Sequence, residues 1–278
     1  MGHKNKSTKF VNLADPLVSV IVPIYNRFNF LVLTLDSLKN QSYRNIQVLC
    51  VNDGGENAEK YIKDLNDPRF EYYEHETNMG LPSARNTALK HADGAFLSLL
   101  DSDDIYMKYA LEFRMYMIKK LKAEIVFTRS LQNIMEKVKL SDGREAYKTV
   151  SSILYWNSNF SKDLLLLQNI APCCNVTFSR KSWEKANYWF QTDMTSSEDH
   201  DFWCALSRHT DFVPLDLLDT ECSMRKDGTN MTGTINFVPN WIKIFKRWRH
   251  TAIDLQWVTE SQNSILRSVG INPADYGL

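Results

Sequence analysis

The sequence VSVIVPIYNR, residues 18–27, joins an apolar run to a polar turn. Its first six residues are apolar almost without interruption, which is typical of a strand buried on both faces of a parallel sheet. From Phe28 to Leu38, apolar side chains recur at helical spacing. A buried strand followed by an amphipathic helix is the repeating unit of an α/β sheet, so this stretch predicts an α/β fold.

The same alternation of short apolar runs with helical patterns continues over the first ~120 residues. We expect further strands at 46–51, 70–73, 95–100 and 124–128, with helices beginning near Pro82 and Tyr109. After residue 130 the pattern becomes polar and irregular, until a strand-like segment at 175–179 and a helix at 199–208. The chain therefore divides into a regular first half and a less regular second half.

Composition limits the classes of function. The 278 residues carry 33 basic and 33 acidic side chains, so no overall field favours a nucleic-acid partner, and an anion site must be local. Five cysteines without a CxxC pair indicate a reducing, cytoplasmic compartment. The first ten residues lack the apolar segment of a signal peptide, and no apolar run is long enough to predict a membrane-spanning helix.

Polar residues follow the predicted parallel strands, at the edge where open α/β sheets bind ligands. The sequences after these strands are IYNR (24–27), NDGG (52–55), NMGLPSARN (78–86) and DSDD (101–104). The last of them places three carboxylates within four residues. Such carboxylates repel unless a cation neutralises them, and hard oxygen ligands suit Mg²⁺ or Mn²⁺. The alternative is an acidic N-terminus of the following helix.

Five motifs occur in a characteristic order: VSVIVPIYNR, VNDGG, NMGLPSARN, LLDSDD and SSEDHDFW. Together they resemble glycosyltransferase family 2, over about residues 18–205. The resemblance implies a GT-A fold and a metal-dependent, inverting transfer of a sugar from a UDP-linked donor to an acceptor hydroxyl, with Mn²⁺ or Mg²⁺ as cofactor. The acceptor would be a glycan, or a lipid-linked or protein-linked one, in bacterial surface polysaccharide or glycan assembly.

The resemblance also implies a domain organisation. A GT-A domain would span 17–235, with a nucleotide-sugar-binding half at 17–128 and an acceptor-side half at 129–235. An N-terminal extension at 1–16 and a C-terminal helical appendage at 236–278 would flank it.

The implied donor site combines residues near the ends of these four strands with one residue from the second half of the chain. Its members would be Pro23, Tyr25, Asn26, Arg27, Asp53, Asn78, Gly80, Arg85, Asp101, Ser102 and Arg225. Tyr25 and Asp53 would hold the base, and Asp101 the ribose or sugar. Asp103 would bind the metal, with Asp104 as a further candidate. Asp53 could instead form a simple Asp-Gly turn, and Arg85 a surface salt bridge. The segment around Arg225 lacks the family's usual tyrosine and histidine.

The motif SSEDHDFW, residues 196–203, carries the implied catalytic base, Asp199. Its neighbours Glu198, His200 and Asp201 share the motif, and the last two are alternative bases. The acids could also complement the dipole of a helix capped by Ser197, and both readings can hold. Trp203 either lines the acceptor site or belongs to the core.

The sequence WIKIFKRWRH, residues 241–250, gathers aromatic residues on one helical face with cations around it. Such a helix could make peripheral contact with an anionic membrane, or pack its aromatic face on the domain.

Two rival functions come from other classes. A catalytically silent GT-A domain could act as a binding module in a glycan-assembly complex, although the intact acids argue against it. A dinucleotide-dependent oxidoreductase would need glycines in the turn after the first strand, and IYNR has none.

Overall fold

The computed structural model describes residues 15–155, 159–229 and 237–278. Residues 1–14 of the predicted N-terminal extension lie outside the described residues, and so do residues 230–235 at the end of the predicted acceptor-side half. The described strands are β1 Val18–Ile24, β2 Ile46–Asn52, β3 Phe70–Glu74, β4 Phe96–Leu99, β5 Ile105–Tyr106, β6 Ile125–Lys139, β7 Glu145–Tyr155, β8 Val176–Ser179 and β9 Phe212–Arg225. The described α-helices are α1 Phe28–Lys39, α2 Glu59–Lys63, α3 Leu81–His91, α4 Ala110–Leu121, α5 Lys162–Leu165, α6 Arg180–Ala186, α7 Glu198–Ser207, α8 Val238–Trp248 and α9 Leu255–Ser268.

The described strands form a single sheet in the order β3-β2-β1-β4-β8-β6-β9-β5, and β7 pairs with β6. β1 runs parallel to both β2 and β4, and β2 runs parallel to β3. All seven residues of β1 are buried, as its uninterrupted apolar run predicted. The carboxyl ends of these parallel strands meet at one edge, so the polar turns that follow them are brought together. The predicted α/β fold with a parallel half is confirmed.

The second half differs from the expected pattern in two ways. β8 runs antiparallel between β4 and β6, so the predicted strand at 124–128 does not adjoin the parallel strands. β6 also continues to Lys139 and forms a long antiparallel hairpin with β7, where an irregular stretch was expected. Most side chains of β7 are exposed, which explains why this strand shows no apolar alternation in the sequence.

The C-terminal helices are part of the main core. Ile244 and Phe245 of α8 and Val258 and Leu266 of α9 are buried in the same hydrophobic cluster as Trp203 of α7. The aromatic face of 241–250 therefore packs on the domain, and the alternative of membrane contact through this face is wrong. The predicted appendage at 236–278 shares the core of the rest of the chain. None of the helices in the described ranges combines the length and apolarity that a bilayer crossing requires.

Candidate active site

The turn after β1 supplies a half-exposed aromatic ring at the sheet edge. Pro23 is buried within β1, and Tyr25 is 50% exposed. Asn26 and Arg27 have positive φ angles of 58° and 65°. Asn26 Oδ1 accepts a hydrogen bond of 2.9 Å from the backbone N–H of Glu56, which ties this turn to the one after β2. Half of the Tyr25 side chain is therefore open to solvent at this edge of the sheet.

Asp53 fixes the loop that follows β3. Its carboxylate accepts hydrogen bonds from the backbone N–H groups of Met79 (2.9 Å) and Gly80 (2.8 Å), and Oδ1 lies 2.7 Å from Nδ1 of His75. The side chain is buried and these three contacts tie the turn after β2 to the loop after β3, while its contact with a nucleotide base stays a prediction. Asn78 is exposed on this loop, and its Oδ1 accepts from the Gly80 N–H at 3.2 Å. His75 was not predicted, because a lone histidine after a strand carries no motif.

Gly54 is required for the close approach of two loops. A Cβ at this position would lie 2.2 Å from the carbonyl carbon of Thr77, and the residue has a φ of 67°. Any side chain here would both clash with backbone and strain the turn. The VNDGG motif therefore serves to place the loop carrying Asn78 against the turn after β2.

A buried arginine joins the two acidic motifs. Arg85 of α3 is 1% exposed, and its Nη2 donates to Asp101 Oδ1 at 2.8 Å while Nη1 donates to Glu198 Oε1. Its guanidinium also lies 5.5 Å from the ring centre of Phe190. Arg85 is therefore buried in two ion pairs, which corrects the alternative of a surface salt bridge, and its contact with a donor stays a prediction. This pairing places the carboxyl end of β4 next to the start of α7.

Burial raises the pKa of Glu198 to about 7, even though Arg85 opposes the shift; the nearby Asp199 carboxylate adds to it. Asp101 is less enclosed than Arg85, with its side chain 32% exposed. A buried ion pair and a partly exposed carboxylate therefore lie side by side where β4 meets α7.

Asp103 lies between two arginines. Its Oδ2 is 3.1 Å from Arg27 Nη1 and 2.8 Å from Arg225 Nη2, and Arg225 comes from the end of β9. Within the described residues no hydrogen bond to Asp103 Oδ1 is found, and the two arginines are paired with Oδ2. Mg²⁺ commonly uses one or two carboxylates together with phosphate oxygens, so Asp103 would fit a divalent ion as one ligand beside a bound diphosphate. The structure thus brings Arg225 next to Asp103, and its contact with a phosphate stays a prediction.

Ser102 and Asp104 are both buried, unlike the partly exposed Asp101. Asp104 Oδ1 accepts from the backbone N–H of Ser223 at 3.0 Å, and its carboxylate lies within 4.8 Å of the thiols of Cys174 and Cys222. Burial raises the pKa of Asp104 well above its usual range. Asp104 therefore anchors β9, and it is not the accessible metal ligand that was considered.

Asp199 is partly exposed and held from two sides. Its Oδ2 accepts from Asn169 Nδ2 at 2.8 Å, and its Oδ1 accepts from the backbone N–H of His200 at 2.8 Å. The carbonyl oxygen of Asn169 accepts from the Tyr155 hydroxyl at 3.1 Å. Asn169 and Tyr155 were missed, because neither stands in a motif. Ser197 has a φ of 57° and its side chain makes no capping hydrogen bond, so the predicted cap is wrong.

The remaining residues of SSEDHDFW belong to the core. His200 is buried with Nε2 2.5 Å from the Leu165 carbonyl, and burial lowers its pKa. Asp201 is fully buried, where it accepts from the Tyr188 hydroxyl (2.7 Å) and from Trp248 Nε1 (2.8 Å). Trp203 is 0% exposed and packs edge-on against Phe178 and other rings. These positions correct the proposals of His200 and Asp201 as bases and of Trp203 as an acceptor-site residue.

The profile of Glycosyl transferase family 2 matches residues 19–185, more than half of the chain. EpsJ of Bacillus subtilis, an uncharacterized glycosyltransferase, is 31% identical over 242 residues, which cover 81% of this chain and 65% of EpsJ. The Escherichia coli UDP-Glc:alpha-D-GlcNAc-diphosphoundecaprenol beta-1,3-glucosyltransferase WfgD is 37% identical over 107 residues, covering 38% of this chain and 42% of WfgD. Glycosyltransferases of Rickettsia bellii and Rickettsia felis match over only 15% and 33% of their own lengths, so the chain spans a minor part of several relatives.

Solved structures share the fold. TarS of S. aureus in complex with UDP-GlcNAc superposes with a TM-score of 0.67 at 18% identity, over 92% of this chain and 74% of TarS. The mannosyltransferase PcManGT from Pyrobaculum calidifontis, in complex with GDP-Man and Mn²⁺, gives 0.59 at 15% identity, over 93% and 76%. The expected GT-A fold is confirmed by these likenesses. With the family profile extending across both the strand-end acids and β8, the chain belongs to glycosyltransferase family 2.

Proposed function

We propose that this chain catalyses an inverting transfer of a sugar from a UDP-linked donor to an acceptor hydroxyl, with a bound divalent cation. One observation carries the proposal: Arg85 pairs with both Asp101 and Glu198. This contact places the acids that follow β4 next to the helix bearing Asp199, and we take the space between them as the reaction cleft, since a displacement reaction requires donor and base to lie side by side. A silent binding module would have no need to keep an accessible carboxylate on each side of that cleft.

Donor binding would use the turn after β1 and the end of β9. The Tyr25 ring offers a stacking surface for the base, and Arg27 and Arg225 offer charged donors for a diphosphate. Nη1 of Arg225 is buried and lacks a hydrogen-bond acceptor in the part of the chain that the structure describes. A phosphate oxygen would satisfy this donor. Asp103 Oδ1 would hold the cation, whose chemistry when bound is to neutralise charge on the departing nucleoside diphosphate.

Asp199 would remove the proton from the acceptor hydroxyl. Its two hydrogen-bond donors fix the carboxylate while leaving it partly exposed to the cleft. Attack from the side opposite the leaving diphosphate gives inversion at the anomeric carbon. A positioned general base contributes about 10²- to 10⁴-fold to such reactions, and the remainder comes from positioning and electrostatics.

The comparisons support the choice of donor and acceptor class. TarS structures hold UDP and UDP-GlcNAc, and the PcManGT structure holds GDP-Man with Mn²⁺. The name of WfgD specifies a UDP-glucose donor and a diphosphoundecaprenol-linked acceptor. We therefore favour a UDP-sugar, with Mn²⁺ or Mg²⁺, and a lipid-linked or other glycan acceptor in bacterial polysaccharide assembly. Cytoplasmic location stays a prediction.

The test combines donor binding with turnover. A panel of UDP-sugars should raise the thermal unfolding midpoint, more so with Mn²⁺, because a ligand that binds only the folded state stabilises it. UDP release should then appear when acceptors carrying a lipid-linked diphosphate sugar are added. Asp199→Asn should keep the donor-induced shift and lose UDP release, whereas Asp103→Ala should lose the part of the shift that depends on Mn²⁺.

Asp216→Asn is the matched control, since this side chain is 74% exposed and lies outside the cleft. It should behave as the wild type in both assays. Wild-type turnover by Asp199→Asn would refute the base assignment. Donor binding without UDP release for any acceptor would favour the silent-module alternative.

A further inference from the structure

Helix α4 presents an aromatic stripe to solvent. Tyr109, Phe113 and Tyr116 are 50%, 48% and 58% exposed. Their spacing of four and three residues places them on one face of the helix. The opposite face is occupied by Leu111, Met115 and Ile118. Adjacent, half-exposed aromatic rings of this kind mark an interaction surface.

The stripe is surrounded by positive charge. Lys108, Lys119, Lys120 and Lys122 are all exposed, and Glu112 is the single acid between residues 108 and 122. Lys108 and Lys120 lie over the rings of Tyr109 and Tyr116, at 5.3 and 5.8 Å from the ring centres. Across the described ranges no ion pair involves these four lysines. The whole chain has no net charge, so this is a local basic surface.

We propose that this α4 surface, from Lys108 to Lys122, docks on an anionic lipid bilayer. Aromatic rings favour the headgroup region, and neighbouring lysines pair with anionic phosphates, as in interfacial amphipathic helices. The four exposed lysines favour an anionic bilayer over an uncharged apolar partner. Helix α8, which shows the same pattern in the sequence, cannot serve because its aromatic face is buried. The α4 surface would hold the enzyme beside a lipid-linked acceptor, but lipid binding needs no catalysis.

The test is co-sedimentation of the whole chain with vesicles of phosphatidylcholine alone and of phosphatidylcholine with 30% phosphatidylglycerol. Binding is expected only to the anionic vesicles, and it should weaken severalfold as salt is raised, because exposed charges are screened. Phe113→Ser with Tyr116→Ser should reduce the binding constant at least tenfold, and Lys119→Glu with Lys120→Glu should do the same.

Trp257→Ser on α9 is the control, since this ring is 45% exposed and the buried residues of α9 belong to a different hydrophobic cluster from those of α4. It should bind vesicles as the wild type does. All variants should keep the thermal shift produced by UDP-sugar, which separates loss of docking from loss of the proposed function and from misfolding. Equal binding by the α4 variants and the wild type would overturn the proposal. Concentration-dependent dimerisation that Phe113→Ser abolishes, without any vesicle binding, would assign the surface to a second copy instead and overturn it as well.

Discussion

Replacing Glu198 with glutamine should change how stability depends on pH. The Glu198 carboxyl has a pKa of about 7 in the fold and 4.5 ordinarily, mainly because it is buried. A raised pKa means that the folded chain binds a proton more tightly than the unfolded chain. The wild type should therefore lose stability as the pH rises from about 4.5 to about 7, since the unfolded chain ionises first. Each unit of difference between the folded and unfolded pKa values is worth about 1.4 kcal/mol, so the stability lost over this pH range is about 3 kcal/mol.

Glutamine cannot ionise, and its carbonyl oxygen can still accept from Arg85. Glu198→Gln should thus match the wild type near pH 4 and exceed it by about 3 kcal/mol near pH 8. Urea unfolding at a series of pH values, followed by tryptophan fluorescence, measures this difference. Glu184→Gln, at an exposed position of α6, should track the wild type throughout. Parallel curves for Glu198→Gln and the wild type would show that the carboxyl is not desolvated as the structure indicates.

Two further outcomes follow from single contacts. Asn169→Ala removes one hydrogen bond to the Asp199 carboxylate. A hydrogen bond to a charged group is worth about 1.5–3 kcal/mol, so kcat should fall about 10- to 100-fold while the KM for the nucleotide-sugar is unchanged. An unaltered kcat would exclude a positioning role for Asn169. Trp203→Ala should destabilise the fold by about 3–5 kcal/mol in urea unfolding, because the ring is completely buried. A normal unfolding midpoint with an altered acceptor KM would instead restore the acceptor-site interpretation.

The sequence predicts best what is encoded locally. The apolar run at 18–23 and the helical spacing after it each depend on neighbouring residues, and both elements lie where expected. The acids at 101–104 follow β4, and Asp199 lies in the first turn of α7, because strand-end and helix-start positions can be inferred from the same short windows.

The partners of these residues could not be predicted in the same way. Arg85 contacts Glu198, 113 positions away in the chain, and no pattern around either residue indicates the pairing. His200 directly follows the base and Trp203 lies four positions after it, and both are buried, whereas Asp199 is partly exposed. Trp203 shares a helical face with Asp199, so sequence spacing does not distinguish their surroundings. The strand β7 escaped detection because its side chains are mostly exposed on both faces. Contacts between distant residues, and strands that are exposed on both faces, produce no pattern in the neighbouring sequence from which they could be predicted.

The position of β8 has a consequence for how the molecule is completed during synthesis. Strand β4 is flanked by β1 on one side and by Val176–Ser179 on the other. Until those four residues leave the ribosome, β4 remains an unpaired edge, with its backbone groups open to mispairing. The four parallel strands β1 to β4 therefore receive the outer partner of β4 from the second half of the chain, and a chimera that exchanged only the later half would have to bring a compatible β8 with it.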